Sequence, residues 1–183
     1  MGSVSRYPLL IGSFATHYWF SEFRKRDIDC YATPSVWLSI RNNSNFDIQL
    51  AVKSNGLVNI CNIQDLDKIE LYGVKFKIAD PEMLLLIKRI HLEFVDKWIK
   101  NVKDYIFLWK KGIKPRASYI NIFKERLIYL RKYRTKLNKN RSVDLYNSEI
   151  ELSDAVENRE VDPIAAALKL MNKESVSLLS MKC

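Results

Sequence analysis

Cysteine and histidine are scarce in this chain, and their scarcity narrows its chemistry first. Three cysteines (Cys30, Cys61, Cys183) and two histidines occur in 183 residues. The cysteines follow no metal-ligand spacing. An odd count, with no secretory signal evident at the N-terminus, points to a reducing compartment. Two histidines are too few for a dedicated His/Cys metal centre, so a metal taken by this chain is a hard cation held by oxygens. Long apolar runs are missing too. The longest, Met83–Ile87, stops at Lys88 and Arg89, far short of the roughly 18 residues of a membrane span. These absences predict a cytoplasmic protein with no membrane segment.

What is present is a globular composition with a lopsided charge. Hydrophobic residues make up 48% and charged residues 28%, which argues against disorder. The net charge of +9 is concentrated between Lys97 and Arg141, where fifteen Lys/Arg face two acids, Asp104 and Glu125. The rest of the chain is slightly acidic. Such asymmetry predicts a polyanion-facing surface on a near-neutral core; a merely solvated helix face is the plainer alternative.

The length suits one domain, or one domain with a helical extension. Tyr7–Ile11 predicts a short buried strand, Phe14–Phe23 a helix, Asp27–Ala32 a second strand, and Pro34 opens a helix to about Arg41. Phe46–Lys53 and Leu57–Ile63 flank Asn55-Gly56, the residue pair of a tight hairpin. Lys68–Tyr72 and Val74–Ala79 predict another strand pair around Gly73. From Asp80-Pro81 onward the period turns helical, with runs at Trp98–Lys110, Ala117 to about Leu137, and Pro163–Met171. An acidic segment spans Asp144–Asp162. The expected fold is α+β: a small mixed β-sheet core over residues 1–80, followed by a helical half over 81–183.

The chemistry-bearing stretch is Leu10-Ile11-Gly12-Ser13, followed fourteen residues after the serine by Asp27-Ile28-Asp29. Gly12 lets the backbone approach a phosphate, and Ser13 with the following helix N-terminus supplies donors. Asp27 and Asp29, alternating on a strand, would face one side about 7 Å apart. That is the layout of a two-cation site for phosphoryl chemistry. Paired instead with Arg24, Lys25 and Arg26, the same two aspartates are ordinary surface carboxylates. Lys124, Arg126, Arg131, Arg134 and Lys136 in the third helical run are candidates for nucleic-acid binding. Tyr129 and Tyr133, one turn apart among them, are candidates for base stacking.

In this order, Gly-Ser, helix and acidic-x-acidic strand resemble the DNA polymerase beta-like nucleotidyltransferase superfamily. The closer resemblance is to small nucleotidyltransferase-like proteins of phages and large DNA viruses. It rests on Leu10-Ile11-Gly12-Ser13-Phe14-Ala15-x-x-Tyr18-Trp19, on Pro81-Glu82-Met83-Leu84-Leu85-Leu86-Ile87-Lys88-Arg89-x-His91, and on Trp98-x-Lys100-Asn101-Val102-Lys103-Asp104-Tyr105. The resemblance implies that the sheet is a nucleotidyltransferase core and that the compartment is host cytoplasm if the protein is viral. It further implies Mg²⁺ (or Mn²⁺) on Asp27 and Asp29, and triphosphate oxygens at Gly12 and Ser13. Lys88 would contact nucleotide phosphate, and His91 would line the site or pack against Trp98. The partners implied are a nucleoside triphosphate and an RNA or other polyanionic acceptor.

Two departures bear on activity. Phe14 stands where the family has Arg, and Lys75 and Lys77 occupy the strand expected to carry a third carboxylate. Glu70 and Asp47 are the candidates for that third acid, with Glu70 ranked first as a catalytic residue. A nucleotide-binding protein without catalysis is the competing expectation, using its basic helices to hold nucleic acid or a host protein.

Overall fold

In the computed structural model, residues 5–133, 137 and 140–180 are described, the side chains of 133 and 174–180 excepted. The chain runs β1 (Leu9–Ile11), α1 (Gly12–Trp19), β2 (Asp29–Ala32), α2 (Pro34–Ile40), β3 (Asp47–Leu50), α3 (Val58–Cys61), β4 (Lys68–Leu71) and β5 (Val74–Ile78). Helices follow: α4 (Pro81–His91), α5 (Trp98–Lys110), α6 (Ala117–Tyr133), α7 (Glu149–Glu157) and α8 (Pro163–Ser180). This is an α+β architecture, a five-stranded mixed sheet and then a largely helical region. The strand order is β3-β2-β1-β5-β4.

The central position of β1 follows from its composition. Leu9, Leu10 and Ile11 are all buried, as a strand covered on both faces requires. It pairs antiparallel with β2 and parallel with β5. The β4–β5 hairpin forms where expected, because Tyr72 (φ 51°) and Gly73 (φ 73°) both take the left-handed conformation of a two-residue hairpin turn.

Asn55-Gly56 does not make a hairpin. The Asn55 side chain accepts from the Val52 and Leu57 amides and donates to the Leu50 carbonyl, which closes a 3₁₀ turn over Lys53–Asn55. Leu57, Ile60 and Cys61 are then buried at helical spacing. They form α3 instead of a return strand, and β3 pairs parallel with β2.

Two compact units are present, one of Met1–Ile87 with Ile113–Tyr129, the other of Lys88–Gly112 with Leu130–Cys183. The border between them falls inside α4 and inside α6. In the first unit Asp80 caps α4 by accepting from the Met83 amide and also accepts the Tyr119 hydroxyl at 2.8 Å. Arg116 pairs with Glu82 at 3.0 Å, and Arg126 donates to the Asn55 carbonyl. These bonds tie α6 and the residue ahead of it to the start of α4 and to the turn after β3.

The second unit packs Trp98, Val102, Leu152, Val156 and Ala166 into its own core, with the Trp98 indole donating to the Pro163 carbonyl. Ser148 and Glu151 form a reciprocal cap at the start of α7. Lys88 and Asp104 form an ion pair at 2.8 Å in this unit, their side chains 8% and 4% exposed. Removing one partner strands a buried charge. Asp104→Ala should lower unfolding free energy in urea by about 3–5 kcal/mol, whereas Lys88→Met with Asp104→Leu should restore most of it.

Cys30 and Cys61 are free and buried. Burial, foremost, pushes both thiols up to about 12, so neither supplies thiolate near neutrality. Both should resist iodoacetamide in the folded protein and alkylate on unfolding in guanidinium, read by peptide mass spectrometry.

Candidate functional site

The site begins where β1 ends. Gly12 opens α1 with φ +67°, a conformation that costs a non-glycine residue about 1–2 kcal/mol. Space demands glycine as well: a Cβ here would lie 2.2 Å from Asp29 Oδ2 and 3.0 Å from its Cγ. The antiparallel register places Asp29 opposite Ile11, which sets its carboxylate against the Gly12 turn.

Ser13 is buried, and its hydroxyl works within the chain. It donates to the Asp27 carbonyl at 3.1 Å and accepts from the Arg26 amide at 3.0 Å. Ser13 therefore holds the Arg26–Asp27 segment across the start of α1. Asp27 lies ahead of β2 and is exposed, so strand alternation does not fix its direction as the sequence suggests. Lys25 brings its ammonium within 4.5 Å of the centre of the Phe14 ring, placing a cation beside the start of α1.

The acid brought to Asp29 is Asp47. The two are direct partners in the parallel β2–β3 register, on strands about 4.8 Å apart and on one face of the sheet. The Asp47 amide donates to the Ile28 carbonyl at 2.9 Å, which locks that register. Glu70, ranked first from sequence, lies elsewhere. It sits on edge strand β4 opposite Lys75, three strand spacings or roughly 14 Å from β2, too far to share an ion with Asp29. The signal for Asp47 was its place between Phe46 and Ile48 at the start of a strand. Among the described residues, no group of three or more His, Cys, Asp or Glu is placed to hold a metal ion.

Lys88 and His91 belong to the second unit. The Lys88 ammonium is engaged by Asp104, and His91 packs edge-on against Phe94 with centroids 5.4 Å apart. The basic candidates of α6 also divide. Lys124 is exposed. Arg131 is exposed but bonds the buried Glu93 carboxylate at 3.1 Å. Arg126 is 1% exposed, its guanidinium pushed below the usual arginine range by burial above all, so it does not face a nucleic acid. Arg134 and Lys136 lie outside the described residues, as does the Tyr133 side chain.

Gly73 shares the left-handed backbone of Gly12 but has open space where a Cβ would go. Gly73→Ala should therefore cost only the backbone strain, about 1 kcal/mol. Gly12→Ala should cost about 1–3 kcal/mol in urea denaturation, because the Asp29 carboxylate must move as well. Against family models, curated proteins and solved structures, the chain matches none.

Proposed function

We propose that the protein is a Mg²⁺-dependent nucleotidyltransferase, moving a nucleotidyl group from a nucleoside triphosphate to an RNA, nucleotide or protein acceptor. The observation that carries this reading is the Asp29 carboxylate set against the Gly12 turn, with Asp47 in register beside it. Carboxylates on adjoining strands suit a hard, oxygen-seeking cation. The absent Gly12 side chain is what lets the Asp29 carboxylate lie against the turn. The first turn of α1 carries no side-chain cap, which leaves its amides available as phosphate donors.

In this reading Asp29 and Asp47 hold the cation, and exposed Asp27 joins them when a triphosphate is bound. Asp47 takes the part of the third carboxylate that the resemblance assigns to a later strand. The cation supplies charge neutralisation at the reacting phosphate. Gly12 makes room for the Asp29 carboxylate at the turn, Ser13 fixes the Arg26–Asp27 segment, and Lys25 adds a positive charge beside Phe14 for the outer phosphates. Lys88, committed to Asp104, is left out of the site.

A catalytically degenerate protein that binds nucleic acid or a host protein is the second reading. Two observations favour it: Phe14 in place of Arg, and the lack, among the described residues, of a three-ligand metal group. The two readings separate in one experiment, transfer of α-labelled nucleotide with each triphosphate and Mg²⁺, followed by mass spectrometry of RNA and protein fractions. Asp29→Asn and Asp47→Asn should each cut transfer by roughly 10²-fold or more, while Glu70→Gln leaves it unchanged. No transfer with any triphosphate, together with steeply salt-dependent RNA binding that survives both substitutions, would establish the degenerate reading.

A further inference from the structure

Lys68 and Lys77 face each other directly across the β4–β5 pair. Like charges in that position destabilise a sheet, and here one of them is buried. Lys77 is 3% exposed. Its ammonium donates to the carbonyls of Cys61 and Ile63, the latter at 2.8 Å. Those two bonds use two of the three ammonium donors, and neither acceptor carries a charge. Burial, first, and Lys68 in addition hold the Lys77 ammonium below the usual lysine range. Lys68 lies over the Tyr7 ring, 5.5 Å from its centroid, and Arg6 is exposed just ahead of it in the chain fold.

Arg6, Lys68 and Lys77 line one cavity of about 390 Å³, together with Ser5, Tyr7 and Gln64. That volume falls in the range of roughly 300–1,000 Å³ typical of small-molecule sites. The lining holds one acid, Asp65, against three cations. Among the described residues, none of the three cations forms an ion pair with an acid. The cavity shares no lining residue with the Gly12–Asp29–Asp47 site: Ser5–Tyr7 precede β1, and Gly12 follows it.

We propose that this cavity binds a phosphate monoester, with the phosphate dianion seated between Lys68, Lys77 and Arg6. A dianion there converts the opposed lysines from a repulsive pair into two sides of a charge-assisted clamp. The remaining volume takes the small organic group of the ester, against Tyr7 and Gln64.

Inorganic phosphate and glycerol 3-phosphate are the probes, with sodium chloride at matched ionic strength as control. Thermal unfolding should shift upward with either phosphate beyond the chloride control. Lys68→Glu replaces the repulsive pair by an attractive one. It should raise the melting temperature without phosphate, abolish the phosphate-dependent rise, and weaken binding by at least about tenfold in titration calorimetry. Lys75→Ala, on the same strand as Lys77 but outside the cavity, should keep the full response. Asp29→Asn with Asp47→Asn should keep it as well, so failure of the transfer reading would not remove this site. The absence of a phosphate-specific shift, or a shift that survives Lys68→Glu, would overturn the proposal. Response to inorganic phosphate but not to glycerol 3-phosphate would overturn the monoester assignment.

Discussion

The Asp29 carboxylate lies so close to Gly12 that no other residue fits the turn without moving it. That close approach requires β1 and β2 to be antiparallel neighbours with Ile11 opposite Asp29, and it requires α1 to start without a linker. The Ser13 bonds to Arg26 and Asp27 then follow, because the chain must return from the far end of α1 directly across its start. The parallel pairing of β3 with β2 adds Asp47 to the same end of the sheet. One glycine at one strand end thus organises three segments that are far apart in sequence.

The sheet places like charges opposite one another twice, with opposite signs. Asp29 faces Asp47 across β2–β3, and Lys68 faces Lys77 across β4–β5. Each arrangement is unfavourable by itself, whereas the neighbouring Glu70–Lys75 pair shows that opposed charges of different sign were open to the same strands. In the two proposed readings a cation would answer the first pair and an anion the second. Both ligand readings therefore start from one kind of observation, like charges in register on adjoining strands of an otherwise consistent fold.

Much of the fold was legible because it depends on local rules. The apolar run of β1, the Asp80-Pro81 start of α4 and the Gly73 turn all formed as their residues dictate. Asn55-Gly56 misled because the Asn side chain bonds three backbone groups of its own segment, an alternative that competes with hairpin pairing. Glu70 and Asp47 were indistinguishable by local pattern, each an acid between apolar residues; only strand order separates them. Asp27 and Asp29 looked like an alternating strand pair because sequence could not show that β2 begins at Asp29.

The basic segment, by contrast, overstates any external surface. Several of its cations are committed within the protein. Arg126 donates to a backbone carbonyl inside the first unit, Arg116 bridges Asp80 and Glu82, and Arg131 and Lys103 pair with Glu93 and Glu149. Lys88, the cation that most resembles a phosphate ligand by its place in a motif, is among the most deeply buried and is neutralised by Asp104. A lysine so placed cannot leave its partner for a phosphate without stranding the aspartate, at a cost of several kcal/mol. In the proposed transfer reading, the cations that would meet a triphosphate near Gly12 belong to the segment that the Ser13 bonds draw across the turn. Lys25 over Phe14 stands first among them, and on that reading it would supply from the neighbouring segment the charge that the resemblance places at Phe14.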